Sequence, residues 1–307
     1  MTVTASKSEI GLASRLVNGI LAIKPLANFA KTRARKMMIE RAESIGVPWR
    51  NNVLQLSDRD WSEDLTAVQN PTLEYPDYYT TSFHAYESGN LSWQAAWEVE
   101  SASRAVHAQI WSKGDVNGDR MLRQSYSEAL QKQIAIAPET ILDLGCGVGM
   151  STLALEELYP QAQLTGVDLS PYFLAVAKYR TEQAGKDITW IHGAAEATGL
   201  ADHSFDLVSA CLMFHELPDT AAKAVIQEAS RLVRPGGYLA IMDMNPQSEV
   251  FLKMPPYILT LLKSTEPYLD RYFALDIKQT FMAAGFATPT ISINSPRHRT
   301  IVAQKQT

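Results

Sequence analysis

The chain has 307 residues, of which 46% are apolar and 20% are charged, as in a globular protein with a substantial core. This length allows more than one typical domain but fewer than three. The formal net charge of −5 argues against a nucleic-acid partner, and two cysteines are too few for a disulfide framework, so we expect a cytoplasmic protein. No uncharged stretch of the sequence approaches the about 20 apolar residues that span a bilayer.

Positive charge is concentrated in the first 41 residues. They contain eight Lys and Arg against two Glu, a net charge of +6, which leaves −11 for the rest of the chain. Apolar residues recur there at helical spacing, and Pro25 is expected to break or kink this helix. A basic amphipathic helix suits three roles: peripheral contact with an anionic membrane, docking on the acidic remainder of the chain, or binding of a partner.

The next part of the chain begins without a clear pattern and then becomes helical. Residues 48–91 are rich in aromatic residues, Pro, Asn and Asp without a regular period. Apolar spacing predicts a helix over 92–111, with Ser92 as its N-cap, and a second helix over about 120–134.

From residue 139 onward, strand and helix patterns alternate. Strands are predicted at 140–144, 162–168, 188–192, 205–212 and 237–244, and helices at about 150–158, 171–184 and 219–233. A helix near 275–284 precedes two final strands, at 288–294 and 300–304, which form a hairpin. We therefore predict an α/β fold, a doubly wound Rossmann-like sheet of seven strands with a C-terminal antiparallel hairpin. A helical N-terminal region, 1–135, is expected to serve as cap and substrate wall for this 136–307 domain.

Three glycines follow the first predicted strand at alternate positions, 145, 147 and 149. A tight packing turn needs fewer glycines than this. A dinucleotide-binding loop requires the spacing G-x-G-x-x-G, and here Met150 stands where its third glycine belongs. Asp143 would repel a pyrophosphate, whereas it would stabilise a cationic ligand that carries an amino group and a sulfonium.

The motif D-x-G-x-G-x-G at 143–149 resembles the first motif of the class I S-adenosylmethionine-dependent methyltransferases, and the resemblance continues over about 139–303. In that family an acid at the end of the second strand, here Asp168, bonds the ribose hydroxyls. The Pro-Gly-Gly at 235–237 and the terminal hairpin also match. Within the family, the chain is most similar to small-molecule enzymes of the quinone-biosynthesis and natural-product type.

The resemblance implies S-adenosylmethionine as cofactor. Many relatives have Gly-Asp-Ala-Glu in the adenine-binding segment, but residues 193–196 here read Gly-Ala-Ala-Glu. We therefore expect adenine to be held by backbone N–H groups near Ala195 and by apolar packing. Tyr86 is expected near the methionine carboxylate. The implied cofactor-binding residues are Asp143, Gly145, Cys146, Gly147, Gly149, Asp168, Leu169, Ala195, Glu196, Leu212 and Tyr86.

Candidate catalytic groups follow the fourth and fifth strands, because ligands of open α/β sheets lie beyond the carboxyl ends of the strands. His215 is the first candidate for a general base, followed by Glu216 and Asp243. Alternatively, His215 begins a helix and forms a hydrogen bond with the backbone. Methyl transfer has a good neutral leaving group, so an amine or enolate acceptor would need no base.

Two segments, 75–93 and 251–273, occupy the places from which the family commonly builds acceptor pockets. The expected substrate-binding residues are Tyr78, Tyr79, His84, Phe214, Met254 and Tyr257. The alternative is that individual tyrosines belong to the core of the helical region. The aromatic and apolar character of both segments indicates a ring-containing, apolar acceptor.

We expect no metal, because no Cys/His cluster has the spacing of metal ligands. The segment at 115–119, DVNGD, departs from a calcium loop because Tyr126 stands where the bidentate Glu belongs. His298 is expected on the surface of the hairpin turn, His107 on a helix, and Cys146 as small filler rather than as a nucleophile.

The sequence therefore favours S-adenosylmethionine-dependent methyl transfer to a small acceptor, a quinone precursor or an aromatic secondary metabolite. The alternative is a non-catalytic relative that binds S-adenosylmethionine as a sensor or partner protein. A nicotinamide-dependent oxidoreductase is a more distant alternative.

Overall fold

A seven-stranded sheet forms the centre of the part of the chain that this computed structural model describes, residues 24–80, 86, 88–111 and 114–306. The strands are β1 (Thr140–Leu144), β2 (Gln163–Asp168), β3 (Ile188–His192), β4 (Phe205–Cys211), β5 (Val233–Met244), β6 (Thr290–Ile293) and β7 (His298–Gln304). Their order is β3-β2-β1-β4-β5-β7-β6, with β1 to β5 parallel and β7 antiparallel to both of its neighbours. The predicted fold class and C-terminal hairpin are confirmed.

The strand order reverses at β1, which lies between β2 and β4. The connections after β1 and β4 therefore leave the sheet in opposite directions, and a crevice opens beyond the carboxyl ends of these strands. Alternate residues of β1 pack on opposite faces, with Ile141 in one apolar cluster and Leu142 in another. Both faces of β1 are thus covered, as its nearly continuous apolar sequence predicts.

Helices pack on both faces of this sheet. The helices that follow the strands are α6 (Met150–Leu158), α7 (Pro171–Gln183), α8 (Asp219–Leu232) and α12 (Ile277–Ala283), close to their predicted bounds. The start of α7 is encoded locally, because Ser170 Oγ accepts the Phe173 N–H and Pro171 occupies the first turn. Between β5 and α12 lie α9 (Glu249–Leu252), α10 (Pro256–Thr265) and α11 (Leu269–Ala274).

The described part of the N-terminal region is mainly helical. Its described helices are α1 (Lys24–Ser44), α2 (Trp49–Ser57), α3 (Ser62–Val68), α4 (Trp93–His107) and α5 (Gly118–Gln133). Ser92 caps α4 as predicted, since its Oγ accepts the Ala95 N–H, although α4 ends at His107. The sequence did not predict α2 and α3. Both are short helices, which tertiary contacts rather than propensity stabilise, and each has a nearly fully buried tryptophan at its start, Trp49 and Trp61.

The described part of the basic N-terminal segment packs on the rest of the chain. In α1, Ile39 and Ala42 join Trp49 in one apolar cluster, and Arg35 forms an ion pair with Glu98 of α4, whose side chain is 1% exposed. Residues 1–23, the other part of the predicted basic helix, lie outside the described residues, so membrane contact stays a prediction. Within the ranges that the structure describes, no helix has both the length and the apolarity of a membrane span.

Candidate active site

A cavity of about 620 Å³ opens at the crevice beyond β1, β2 and β4. The end of β2 and the loop after β1 form its inner wall, while α1, α4, α10 and the β6–β7 turn close it from outside. The cavity wall brings together most of the predicted site residues: Tyr78, Tyr79, Tyr86, Gly145, Cys146, Gly147, Asp168, Leu169, Ala195, Glu196, Leu212, His215, Glu216 and Met254.

The remaining predicted residues lie elsewhere. Asp143, Gly149 and Asp243 lie behind the wall rather than in it, and His84 is outside the described residues. The placement of Phe214 in the pocket has to be corrected, because its ring is fully buried in the core cluster beside α8. The placement of Tyr257 also has to be corrected. It lies on the outer side of α10 and is 49% exposed, whereas Ile258 of the same helix lines the cavity.

The glycine loop is tightly folded under the cavity. The N–H groups of Gly145 and Cys146 both donate to the carbonyl of Val167 in β2, at 2.8 and 3.1 Å. Gly145 has a φ of +65°, and a Cβ there would lie 2.4 Å from the sulfur of Met213, so a larger residue would strain the backbone and force Met213 to move. Gly147 has a φ of +56° and lines the cavity, and a Cβ there would meet only the ring of Phe173, at 3.9 Å.

Asp168 holds this loop to the end of β2. Its Oδ2 accepts the Gly147 N–H and its Oδ1 accepts the Ser170 N–H, both at 2.8 Å. Burial, together with the charges of Glu216 and Asp143, raises the pKa of this carboxyl to about 6, against the lowering effect of the two hydrogen bonds. The carboxylate can accept about four hydrogen bonds, so it retains capacity for two ligand hydroxyls.

Asp143 lies beneath the loop and acts on the cavity as a buried charge. Its Oδ2 accepts the hydroxyls of Ser151 and Thr152 at 2.7 Å each, which ties β1 to the first turn of α6. Its Oδ1 has no hydrogen-bond partner among the described residues. Burial raises the pKa of Asp143 to about 6, although these hydroxyls and the charge of Arg123 oppose the shift.

His215 and Asp243 form a buried pair beside the cavity. The Nδ1–H of His215 donates to Asp243 Oδ1 at 2.8 Å, and the backbone N–H of His215 donates to Oδ2 at 3.2 Å. Burial lowers the pKa of His215, but the charge and hydrogen bond of Asp243 outweigh burial and raise it above its ordinary value. Because Asp243 occupies Nδ1, the Nε2 atom, which lies 4.0 Å from Glu216 Oε1, is the nitrogen that can face a substrate.

The segment after β3 and the residue after β4 complete the inner wall. Tyr78 donates its hydroxyl to Glu196 Oε1 at 2.7 Å, and the Gly193 N–H donates to the Asp168 carbonyl at 3.1 Å. Leu212 has a φ of +59°, a strained conformation for a branched residue, and its N–H bonds the carbonyl of Met242 at 2.8 Å. This bend lets the chain leave β4 along the cavity edge.

Sequence reasoning missed Arg123 of α5, which lines the cavity with a largely buried guanidinium. Its Nε donates to Asp119 Oδ2 at 3.0 Å, while its two terminal nitrogens lie 3.7 Å from the sulfurs of Cys211 and Met150. It is therefore beside the glycine loop and the end of β4. An available signal was the Asp119–Arg123 pair, four residues apart, in the helix that precedes the first strand.

His298 was expected on the surface, and this expectation is wrong. The residue is 4% exposed and lines the cavity, because β7 begins at His298 rather than at residue 300. The neighbouring Arg297 lines the cavity too. His107 lies on a helix, α4, as predicted. Over the ranges that the structure describes, no group of His, Cys, Asp or Glu could hold a metal ion.

The comparisons with known proteins agree with this geometry. A family model described as "Methyltransferase domain" matches residues 141–237. The chain is 32% identical over 127 residues to the demethylmenaquinone methyltransferase of Thermus thermophilus, a match that covers 41% of this chain and 55% of that protein. It is 31% identical over 176 residues to the Synechocystis protein named "Uncharacterized methyltransferase sll0829", covering 57% of this chain and 76% of that one.

Among solved structures, the PH0226 protein of Pyrococcus horikoshii has the same fold. The TM-score is 0.51 at 16% identity, and the match covers 68% of this chain and 99% of that one. The chain belongs to the class I S-adenosylmethionine-dependent methyltransferases. It matches only about half the length, 55%, of the Thermus relative.

The residues at the inner wall fit the family's cofactor. Two buried carboxyls with raised pKa, Asp143 and Asp168, give this wall a negative potential that a sulfonium and an ammonium group would relieve. The Gly147 backbone, which lines the cavity with a φ of +56°, is consistent with such a ligand. A diphosphate would instead meet repulsion from both carboxylates.

Proposed function

We propose that this protein transfers a methyl group from S-adenosylmethionine to a small, apolar, ring-containing acceptor, a quinone precursor or an aromatic secondary metabolite. The observation that carries the proposal is the glycine loop held by Asp168 at the inner end of a cavity that aromatic and apolar side chains close from outside. The name of the Thermus relative, demethylmenaquinone methyltransferase, supports a quinone-like acceptor.

The donor binds along the inner wall. Asp168 accepts hydrogen bonds from the ribose hydroxyls. Backbone N–H groups near Ala195 bind the adenine, because residues 193–196 lack the Asp that many relatives have there. Arg123 pairs with the methionine carboxylate, because it is the cationic side chain beside Met150 and Cys211. Tyr86, the residue first expected there, donates its hydroxyl to Glu98 at 2.8 Å and supports the wall instead.

When bound, the donor supplies an electrophilic methyl group on a positively charged sulfur. His215 then acts as the general base for a hydroxyl or acidic carbon acceptor, with Nε2 as the accepting atom. Asp243 is a positioning residue, since it fixes the ring through Nδ1 and Oδ1. The positive charge of the donor lowers the raised pKa of His215, and so favours the neutral ring in the complex that reacts.

The outer wall selects and encloses the acceptor. Apolar side chains from α1, α4 and α10 face the cavity, and with Tyr78 and Tyr79 they define a space that excludes water from the reacting atoms. The described helices before residue 136 thus serve as a cap over the 136–307 domain. Both cysteines are free and buried, which is consistent with the reducing cytoplasm proposed for this protein.

Turnover is the test that separates a catalyst from a sensor. The protein is incubated with a methyl-labelled donor and a cell extract, and labelled small molecules are sought by mass spectrometry while S-adenosylhomocysteine release is measured. The expected result is one labelled, ring-containing product whose formation stops in the His215→Gln protein. Binding of the donor with no labelled product in any extract would favour the non-catalytic role.

A further inference from the structure

One lobe of the cavity is lined by basic side chains. The lobe lies between the end of α4 and the β6–β7 turn, and we call it the basic lobe; its residues are Ser103, His107, Arg297 and His298. None of these residues belongs to the donor wall described above.

Arg297 is a half-buried cation without an acidic partner. Its guanidinium donates to the carbonyl of Gln109 at 3.2 Å, and within the described chain no carboxylate lies within ion-pair distance of it. Burial lowers the pKa of Arg297, which means that its charge is incompletely solvated. An incompletely solvated and uncompensated charge is costly, and an anion bound in the cavity would compensate it.

His298 presents a hydrogen-bond donor beside this cation. Ser295 Oγ accepts the backbone N–H groups of Arg297 and His298, at 3.2 and 3.0 Å, so its own hydroxyl hydrogen is left to donate to His298 Nδ1 at 2.8 Å. The neutral ring must then carry its proton on Nε2. Burial, followed by the nearby basic groups, lowers the pKa of His298 to about 3 against the opposing charge of Asp243, which keeps the ring neutral.

His107 lies next to this ring, and one of its ring nitrogens is already hydrogen-bonded to an acid. The two imidazoles make an edge-to-face contact with ring centroids 6.0 Å apart, and His107 Nδ1 bonds Asp119 Oδ1 at 2.6 Å. Asp119 is also the partner of Arg123, so its charge is shared by two basic residues. Asp119, the acid that contacts the basic lobe, therefore bonds His107 and Arg123 and not Arg297.

The basic lobe also adjoins the reacting end of the cavity. His298 of β7 pairs with Met244 of β5, one residue beyond Asp243, and Asp243 and His215 both influence the pKa of His298. A group held in the lobe would thus be near the His215–Asp243 pair.

We propose that the basic lobe binds an anionic oxygen group, such as a carboxylate, on the ring-containing acceptor, with Arg297 neutralising the charge and His298 Nε2–H donating a hydrogen bond. The proposal rests on the proposed methyl transfer and adds an acidic substituent to the acceptor class. A carboxylate could also come from the methionine end of the donor, for which Arg123 is the expected partner. The two sources predict different responses to substitution of Arg297.

The test uses two fluorescent probes with the same ring system, the anionic 8-anilinonaphthalene-1-sulfonate and the neutral N-phenyl-1-naphthylamine. Each is titrated into the full chain saturated with S-adenosylhomocysteine. In Arg297→Gln, the dissociation constant of the anionic probe is expected to rise about ten- to hundredfold, while that of the neutral probe changes less than about twofold. Arg297→Lys should recover part of the loss.

Two further measurements assign the source of the anion. Lys132→Gln, at an exposed position of α5, removes the same charge from the surface and should leave both probes unaffected. The affinity for S-adenosylhomocysteine should be unchanged in Arg297→Gln and reduced in Arg123→Gln. Unchanged binding of the anionic probe in Arg297→Gln, equal loss of both probes, or no saturable anionic binding would overturn the proposal.

Loss of S-adenosylhomocysteine affinity in Arg297→Gln would also overturn it, because Arg297 would then serve the donor. Failure of the unsubstituted protein to bind S-adenosylhomocysteine would instead refute the proposed function. In that case the probe titrations, repeated without S-adenosylhomocysteine, would still decide whether the basic lobe selects anions.

Discussion

The donor half and the acceptor half of the cavity are built in different ways. The proposed donor half consists of the glycine loop, Asp168 and the segment 193–196, which lie within two consecutive βαβ units, from the end of β1 to the residues after β3. The acceptor half consists of side chains from α1, α4, α10 and the β6–β7 turn, which are far apart in the sequence. Donor chemistry is therefore encoded locally, and acceptor selection depends on tertiary packing.

This difference has a functional consequence. Substitutions in the donor half should weaken donor binding, whereas substitutions in the acceptor half should reduce turnover at nearly constant donor affinity. The comparison fails if the two sets of substitutions have the same effect on both measurements.

The largest effect is expected at His215, which faces the acceptor. His215→Gln removes the general base, and kcat should fall by about 10²- to 10⁴-fold at saturating donor. The dissociation constant of S-adenosylhomocysteine, measured by calorimetry, should stay within about threefold. His203→Gln, in a loop before β4, is the matched control and should retain activity. Full activity of His215→Gln would show that the acceptor needs no base.

The next largest effect is expected at Asp168, in the donor half. Asp168→Asn replaces a charged acceptor that also orders the loop at Gly147. S-adenosylmethionine affinity should fall about 100-fold, or about 2.7 kcal/mol, as for the loss of hydrogen bonds to a charged group. Asp202→Asn, whose side chain is 66% exposed and pairs with Arg231, is the control. Equal donor affinity in both variants would contradict the assignment of the donor half.

A glycine pair tests whether the loop is a ligand cradle or only a turn. Gly147 and Gly185 have φ values of +56° and +65°, and an added Cβ meets no close contact at either position. Alanine at each should lower stability by about 1–2 kcal/mol, the cost of a left-handed residue. Only Gly147→Ala should also weaken S-adenosylmethionine binding, by about thirtyfold, since overpacking a close contact costs about 2 kcal/mol. Thermal denaturation and calorimetry measure the two effects, and equal donor affinity would mean that the loop is only structural.

The smallest effect expected is a pH dependence of donor affinity. Asp143 and Asp168 have pKa values raised to about 6, and a bound cation lowers them. Binding then releases protons near pH 6, so affinity should rise as pH increases from 5 to 7, by about tenfold for one such carboxyl. S-adenosylhomocysteine, which lacks the sulfonium, should show a weaker pH dependence. A constant affinity for S-adenosylmethionine over this range would refute the electrostatic argument.

The position and conformation of the glycine loop were predictable because they depend on a short motif. Three spaced glycines and an acid at the end of the next strand determine a loop conformation that few other residues permit. The proximity of His215 and Asp243 could also be predicted, since topology brings the ends of β4 and β5 together.

The acceptor half was less predictable because exposure and direction of a side chain depend on packing. Tyr257 and Ile258 are adjacent in α10, yet only Ile258 lines the cavity. Arg123 and His298 were missed for the same reason. Their positions depend on how α5 and β7 pack against the sheet, and the Asp119–Arg123 spacing alone does not show that this side of α5 faces the cavity.

The central claim is that the inner wall is an acid-lined site for a cationic nucleoside. Parallel calorimetric titrations of the full chain with S-adenosylmethionine and with NADH test it most directly. We expect one molecule of S-adenosylmethionine to bind per chain and NADH not to bind. Saturable binding of NADH without binding of S-adenosylmethionine would contradict the claim.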